Sequence, residues 1–109
     1  MRVQALKAEV EQRLGNPDLS LETVAQAQRI SSRQVQAMFQ AEGETFSGFV
    51  LDRRLNRAMQ RLTDADDTRP VSAIAFDVGF GDLSYFNRTF RKRFALTPSQ
   101  VRRLGRATG

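Results

Sequence analysis

The chain has 109 residues, of which 40% are hydrophobic, so it is long enough for one modest core or for two small helical units that share one. It contains no cysteine and no histidine, which excludes disulfides, thiolate and imidazole metal ligands, and nucleophiles of the Cys-His or Ser-His-Asp type. The formal net charge is +5, and no apolar run approaches the roughly 20 residues that cross a bilayer. We therefore expect a soluble, cytoplasmic protein with no membrane partner, no metal and no cofactor.

The positive charge is concentrated at the C-terminal end of the chain. Residues 1–50 hold five basic and six acidic side chains, whereas residues 82–109 hold seven basic side chains against a single acidic one, Asp82. A cluster of this kind is the electrostatic footprint of a polyanion partner. A merely solvated basic face has the same composition, so the charge alone leaves both interpretations open.

The first predicted helix covers about residues 2–14. Val3, Leu6 and Val10 recur there at three- and four-residue steps, which places them on one side of a helix. A glycine and a proline shortly afterwards supply the stop. We expect the apolar stripe of this helix to pack on the next helix and its charged side to be solvated.

Two short helices with a tight corner between them follow. Ser20 is a good N-cap for a helix over about 21–29, and Ser31 with Gln34 forms a capping box for a helix over about 32–41. This is the pattern of a helix-turn-helix unit, whose second helix enters the major groove of DNA. A plain helical hairpin has the same pattern. The outward face of the second helix carries the candidate DNA-binding residues Ser32, Arg33, Gln36, Ala37 and Gln40.

A long helix and a polar stretch separate this unit from the rest. Thr45 can cap a helix over about 46–62, a rod of roughly 25 Å at the usual helical rise. The polar stretch after it ends at Pro70, which can open a further helix. We take this stretch as the boundary between a first subdomain with its linker helix, 1–62, and a second subdomain, 63–109.

The second half contains another pair of helices around a glycine corner. Ile74 begins an apolar stripe before Gly79, and Phe86, Phe90 and Phe94 recur at four-residue steps after it. The opposite face of the second helix presents hydroxyl, amide and guanidinium groups, which can bond to base edges and phosphates. Its candidate DNA-binding residues are Leu83, Ser84, Asn87, Arg88, Arg91 and Lys92.

The second pair of helices repeats the first. The N-cap Ser31 corresponds to Asp82, the outward positions of the two second helices correspond as well, and the matching positions of the whole repeat lie at offsets of 50 to 52 residues. An internal repeat of two helical units explains this better than chance does. The second unit therefore supports the interpretation of the first as a helix-turn-helix.

The run from 74 to 98 resembles the signature of the AraC/XylS family of transcription regulators. That signature consists of an Ile-Ala pair, a Gly-Phe corner, a Tyr-Phe-x-Arg-x-Phe helix and a Phe-x-x-Thr-Pro ending. The matching elements here are Ile74-Ala75, Gly79-Phe80, Tyr85-Phe86-Asn87-Arg88-Thr89-Phe90 and Phe94-Ala95-Leu96-Thr97-Pro98.

Three positions depart from the pattern of the family. Arg29 and Ala95 stand where the family often has glycine, and Val101 stands where it usually has an aromatic residue. We expect these departures to affect local stability more than function. A left-handed backbone at Arg29 would cost on the order of 1 kcal/mol.

The resemblance implies an all-α fold of about seven helices, with two helix-turn-helix subdomains joined by a long central helix. It further implies sequence-specific binding of double-stranded DNA, with two recognition helices inserted into successive major grooves. RNA polymerase and an N-terminal effector-sensing domain outside this chain are the other partners that it implies. We expect the cations of the second recognition helix and of the final helix to contact mainly phosphates: Arg91, Lys92, Arg93, Arg102 and Arg103.

Two other classes of function were weighed against DNA binding. A helical protein-interaction module with a basic face for an acidic partner explains the charge, but it does not explain the repeated capped corner. An enzyme is the weakest alternative, because the sequence has no glycine-rich phosphate loop and no carboxylate pair in a predicted pocket.

Overall fold

The structure of the chain is a computed structural model that describes residues 2–108, with side chains described for residues 3–105. The regular secondary structure of this part of the chain consists of helices alone, which confirms the predicted all-α class. None of its helices is both long enough and apolar enough to cross a membrane. The helices are α1 (Arg2–Gln12), α2 (Leu21–Gln28), α3 (Ser32–Ala41), α4 (Phe46–Thr63), α5 (Val71–Asp77), α6 (Leu83–Phe94) and α7 (Pro98–Thr108).

Helix α4 belongs to two compact units. The chain divides by contact into Met1–Arg53 and Arg54–Gly109, so the dividing point lies inside this helix. The reason is that α4 gives Phe49 and Val50 to the first core, while later residues such as Leu55 are also buried. The sequence predicted a subdomain boundary after α4, between residues 62 and 63. That position differs from the division inside the helix, and the subdomain boundary stays a prediction.

The first unit is built on α1, α2 and α3, which pack against one another. Leu6 and Val10 of α1 are buried in its core, so the predicted packing of the α1 stripe is confirmed. Phe39 of α3 is fully buried, and its ring centroid lies 5.7 Å from that of Phe46 and 5.4 Å from that of Phe49. These rings fix α3 against the start of α4, which leaves the opposite face of α3 in solvent.

The corner between α2 and α3 has the predicted geometry. Arg29 is left-handed, with φ 57°, and the N–H of Ile30 donates to the carbonyl of Ala25 at 3.0 Å. Because the left-handed backbone of Arg29 cannot continue the helix, α2 ends one residue earlier than predicted. The hydroxyl of Ser31 accepts from the N–H of Gln34, and the Gln34 side chain accepts from the N–H of Ser31, so the capping box is confirmed.

The corner between α5 and α6 repeats this geometry. Gly79 has φ 112°, and the N–H of Phe80 donates to the carbonyl of Ala75 at 3.0 Å. Asp82 caps α6, because its carboxylate accepts from the N–H of Tyr85 at 3.1 Å. The bond between Phe80 and Ala75 corresponds, residue for residue, to the bond at the first corner. The structure therefore bears out the internal repeat.

A row of aromatic rings forms the core of the second unit. Phe86 and Phe90 are fully buried, and the centroids of neighbouring rings from Phe80 to Phe94 lie 4.7–5.5 Å apart. These four-residue steps hold one side of α6 in the core, so its polar side faces solvent. Helix α6 ends at Phe94, and the next residue, Ala95, has a left-handed backbone with φ 63°. Glycine would adopt this conformation without a steric cost.

Ion pairs hold the polar stretch between α4 and α5. Arg69 contacts the carboxylate of Asp67 at 2.7 Å and that of Asp77 at 3.5 Å. The hydrogen bond from the Arg69 side chain lowers the pKa of the Asp67 carboxyl to about 2. The guanidinium of Arg102, on α7, donates to the backbone carbonyls of Asp67 and Arg69. This network ties α7 to a segment that has no helix of its own.

Candidate nucleic-acid interface

The predicted residues of α3 lie on the side of the helix away from the core. Its core side is formed by Val35 and Phe39, both fully buried. Ser32, at the start of the helix, is half-buried. The other four predicted residues are exposed: Arg33, Gln36, Ala37 and Gln40.

The predicted residues of α6 are arranged in the same way. Its core side is formed by Phe86 and Phe90, and Leu83 at its first position is half-buried. The structure brings the remaining five residues together on the solvent side. These exposed residues are Ser84, Asn87, Arg88, Arg91 and Lys92.

The cations on these two faces make no ion pair among the described residues, a property that Arg29 and Arg103 share. Several basic side chains away from the faces contact carboxylates, as Lys7 does with Glu44 at 3.1 Å; the others that do so include Arg13, Arg53, Arg61 and Arg69. Within the part of the chain that the structure describes, no carboxylate pairs with the cations of the two faces. These unpaired cations are Arg33, Arg88, Arg91 and Lys92.

Each face borders an open hollow, and the two hollows occupy equivalent places in the repeat. The hollow on α6 is lined by Asn87, Arg88, Arg91, Lys92 and Thr97. The hollow on α3 has no charged residue, and it is lined by Leu21, Gln36, Gln40, Thr45, Phe46 and Ser47. Both hollows thus combine the outward face of a recognition helix with the start of the helix that follows.

The sequence prediction missed the residues that line each hollow from the start of the following helix, among them Thr45 and Thr97. Thr45 and Thr97 are N-caps: the Thr45 hydroxyl accepts from the N–H of Gly48 at 3.0 Å, and the Thr97 hydroxyl accepts from the N–H of Gln100 at 3.2 Å. Thr45 was predicted as a cap and Thr97 as part of the family motif, yet neither was predicted as a site residue. Their matching positions in the repeat were the signal that they belong beside the recognition helices.

The structure gives the guanidinium of Arg102 protein partners, and its predicted phosphate contact stays a prediction. Its guanidinium donates to the carbonyls of Asp67 and Arg69, and its Nε atom is buried without a hydrogen-bond partner. Arg102 therefore holds the polar stretch before α5. Arg93 lies over the ring of Phe94, 4.9 Å from its centroid, and its phosphate contact stays a prediction, as does that of Arg103.

The chemistry of the two faces suits a polar, anionic ligand. Guanidinium, ammonium, amide and hydroxyl groups offer hydrogen bonds to phosphates and base edges, and the exposed methyl group of Ala37 offers an apolar contact. The described residues contain no group of acidic side chains that could hold a metal ion. Two capped helix pairs that each expose such a face define a double helix-turn-helix domain of the nucleic-acid-binding class.

The comparison with protein families identifies the kind of domain. A family model described as a helix-turn-helix domain matches residues 24–104, which is most of the chain. The chain belongs to the AraC/XylS family of helix-turn-helix DNA-binding domains, a family of transcription regulators. This confirms the resemblance that the sequence motifs indicated.

Similar proteins include both long and short regulators. The chain is 47% identical over 106 residues to the transcriptional activator RhrA of Rhizobium meliloti, of which it covers 34%. It is 34% identical to the transcriptional activator NphR of a Rhodococcus species and covers 28% of that protein. It thus spans about a third of the length of these relatives. The regulatory protein SoxS of Escherichia coli is 32% identical over 101 residues, and the match covers 92% of each chain.

Solved structures share the fold. The C-terminal domain of AraT, a response regulator from Geobacillus stearothermophilus, superposes with a TM-score of 0.84 at 27% identity over 94% of this chain and 84% of that one. A transcriptional regulator from Chromobacterium violaceum with an AraC-type DNA-binding domain gives a TM-score of 0.78 at 28% identity, over 97% and 96% of the two chains. The predicted fold with two helix-turn-helix units is therefore confirmed.

Proposed function

We propose that the chain binds specific sequences of double-stranded DNA by inserting α3 and α6 into successive major grooves. The observation that carries this proposal is the unpaired state of Arg33 on α3 and of Arg88, Arg91 and Lys92 on α6 among the described residues. Exposed cations that no carboxylate neutralises add to a positive surface field, which attracts a polyanion. Their exposure on two equivalent recognition helices supports an anionic ligand for both.

The side chains near the start of each helix are proposed to read bases. The N-terminal residues of a recognition helix reach base edges in a helix-turn-helix complex. Guanidinium groups pair best with guanine, and amide groups pair best with adenine. The proposed base readers are Arg33 and Gln36 on α3, and Ser84, Asn87 and Arg88 on α6.

The side chains further along α6 are proposed to contact phosphates. Arg91 and Lys92 line the hollow on α6 together with Thr97, the N-cap of α7. Flexible cations beside a helix N-terminus bind backbone oxygens more readily than base edges. The α3 hollow has no cation of its own, so we propose that the second unit supplies most of the electrostatic affinity.

Simultaneous docking of both units sets a requirement on the DNA. Adjacent major grooves on one side of the duplex lie about 34 Å apart. Binding both recognition helices in neighbouring grooves can require a bend, whose cost is of order 1–6 kcal/mol. We propose that the site consists of two half-sites about one helical turn apart, each read by one of the subdomains 1–62 and 63–109.

The activity of the whole regulator is a further part of this proposal. RhrA and NphR are named as transcriptional activators, and each is about three times as long as this chain. We propose that the domain regulates transcription through contact with RNA polymerase. We also propose that an effector-sensing domain N-terminal to it controls the activity, as the family resemblance implies.

A fluorescence anisotropy titration tests DNA binding itself. The chain is titrated with labelled fragments of genomic DNA and with a scrambled duplex, and each titration is repeated at several salt concentrations. We expect a preference for particular fragments that persists as salt rises, together with a steep fall of affinity with salt. Weak binding that is the same for every duplex would contradict the proposal.

A further inference from the structure

Arg88 lies over the ring of Tyr85 on the solvent side of α6. Its guanidinium carbon is 5.6 Å from the ring centroid, within the range of a cation–π contact. The two residues are three positions apart, so they are neighbours on the helix surface. In the described part of the chain, Arg88 makes no ion pair and no hydrogen bond. The ring of Tyr85 is therefore the one partner of the Arg88 side chain among the described residues.

The ring of Tyr85 is itself fixed, although 41% of this residue is exposed. Its centroid lies 6.3 Å from that of Phe80, which is 5% exposed and in turn 4.9 Å from the ring of Phe86. The backbone of Tyr85 is held as well, since its N–H donates to Asp82 and its carbonyl accepts from the hydroxyl of Thr89 at 2.8 Å. A continuous row of rings thus runs from the core to Arg88.

A ring orients an arginine differently from a carboxylate. A carboxylate occupies the N–H groups of the guanidinium and cancels its charge, whereas a ring contacts the face and leaves the charge and the in-plane donors available. Those donors are the groups that bond to the O6 and N7 atoms of guanine. Orienting the side chain before binding also reduces the conformational entropy that it loses on the DNA.

Helix α3 of the first unit has no such pair among the described residues, although Lys7 and Arg53 lie over the ring of Phe49 elsewhere in that unit. In the internal repeat, Tyr85 corresponds to Gln34 and Arg88 corresponds to Ala37. Gln34 is used by the capping box of α3, and Arg33 has no aromatic ring in contact among the described residues. The stack is therefore a feature of α6 that the shared fold of the two units does not require.

We propose that Tyr85 is a positioning residue for base recognition: its ring orients the guanidinium of Arg88 toward a guanine in the major groove. This inference rests on the proposed function of α6. Tyr85 acts through Arg88 and needs no contact of its own with the DNA. Loss of the ring should weaken discrimination at the base pair that Arg88 reads by about two- to fivefold, the equivalent of an exposed cation–π contact.

A nuclear magnetic resonance experiment on the free chain tests the stack without DNA. Protons above an aromatic ring move upfield, so the δ-methylene and Nε–H protons of Arg88 should lie upfield of those of Arg91. Arg91 is the internal control, because it is exposed on the same helix and has no ring in contact among the described residues. Substitution Tyr85→Leu should remove the shift, and Tyr85→Phe should keep it. Equal shifts for Arg88 and Arg91 in the parent would overturn the proposal.

Competition binding tests the consequence for recognition. The duplex is one selected with the parent chain, and single base-pair changes locate the position at which Arg88→Ala abolishes discrimination. At that position we expect Tyr85→Leu to lose about two- to fivefold in discrimination and Tyr85→Phe to match the parent. In the Arg88→Ala background, Tyr85→Leu should have no further effect, because the residue through which it acts is absent.

The outcomes separate the inference from the proposed function. If the parent shows no base preference, the proposed function is contradicted. The role of Tyr85 in base recognition is then contradicted as well. A parent that discriminates while Tyr85→Leu discriminates equally well overturns only the role of Tyr85. A loss that is equal for matched and mismatched duplexes, or that persists in the Arg88→Ala background, also overturns it. If Tyr85→Leu fails to fold, the proton shifts of the parent and of Tyr85→Phe still decide the stack.

Discussion

The guanidinium of Arg102 donates a hydrogen bond to the backbone carbonyl of Arg69, thirty-three residues earlier in the chain. A second N–H of the same group donates to the carbonyl of Asp67 at 3.3 Å. One arginine of α7 therefore holds together a segment that lies between α4 and α5. It differs in this respect from Lys92 of α6, whose side chain makes no hydrogen bond and no ion pair in the described part of the chain.

The salt dependence of DNA binding should separate these two cations. We predict that Lys92→Ala weakens binding to matched and mismatched duplexes alike and reduces the slope of log affinity against log salt by about one. Arg102→Ala should leave the slope unchanged and lower the free energy of unfolding by about 1–3 kcal/mol, because two carbonyls lose a charged donor. Anisotropy titrations over a range of salt and urea denaturation provide the two measurements. An Arg102→Ala slope reduced as much as that of Lys92→Ala would contradict this division of roles.

The aromatic core of the second unit should depend strongly on Phe90. This residue is fully buried, and its ring lies 5.5 Å from that of Phe86 and 4.7 Å from that of Phe94. We predict that Phe90→Ala lowers the free energy of unfolding by about 3–5 kcal/mol, because the lost ring leaves a cavity.

Phe76→Ala is the matched control for this substitution. Phe76 is 51% exposed, so its replacement should change the free energy of unfolding by no more than about 0.5 kcal/mol. Urea denaturation of both variants measures the difference. Equal losses for the two variants would show that Phe90 is not the core residue that its burial indicates.

Local features of the fold were predictable because they depend on residues close together in the chain. The capping box of Ser31 and Gln34 and the α3 helix that it begins follow from side chains within a few positions of one another, and the structure confirms both. The division inside α4 was not predictable, since it depends on which core each turn of that helix joins. The internal repeat, by contrast, was predictable because both copies carry N-cap residues and apolar residues at matching positions.

The candidate site was predictable only in part, for the same physical reason. Helical periodicity places Arg33, Gln36 and Asn87 on outward faces, and their exposure agrees with that. Nothing in the spacing of Arg102 shows that its partners are carbonyls more than thirty residues away. The contact between Tyr85 and Arg88 could have been predicted from the sequence, because residues three apart on a helix are neighbours.

The left-handed residue at the end of α6 should limit stability. Ala95 has φ 63° and is exposed. A left-handed backbone costs a residue with a Cβ atom roughly 1–2 kcal/mol, and glycine loses about 0.5–1 kcal/mol more chain entropy on folding. We therefore predict that Ala95→Gly raises the free energy of unfolding by about 0.5–1 kcal/mol.

Ala8→Gly serves as the control for the effect of glycine itself. Ala8 is exposed in the middle of α1, where the backbone is helical. Glycine there should lower the free energy of unfolding by about 1 kcal/mol. Thermal and urea denaturation compare the two variants. A loss of stability in both would mean that Ala95 carries no strain.

Acid should weaken the network around Asp67. The Arg69 side chain lowers the pKa of this carboxyl from 3.8 to about 2. Its contribution to stability is therefore complete above pH 3.8 and is lost as the pH falls through about 2. We predict that Asp67→Asn lowers the denaturation midpoint at neutral pH and that its difference from the parent disappears near pH 2.

Asp66→Asn is the control in the acid titration. The Asp66 carboxylate is exposed and makes no ion pair among the described residues. Its replacement should leave the parent's dependence on pH unchanged in this window. A constant difference between Asp67→Asn and the parent from neutral pH to pH 2 would contradict the assigned pairing.

Helices α3 and α6 should each read one half of a DNA site. The most direct measurement selects preferred sites from a random duplex pool with the parent, with Arg33→Ala plus Gln36→Ala, and with Ser84→Ala plus Asn87→Ala. We predict that the parent selects two half-sites about 10–10.5 base pairs apart and that each double variant loses the preference in a different half-site. Each lost bidentate contact should be worth about 1–3 kcal/mol against the wrong base. If both double variants select the parent's sequence with the parent's affinity, the two helices do not read DNA, which would contradict the proposed function.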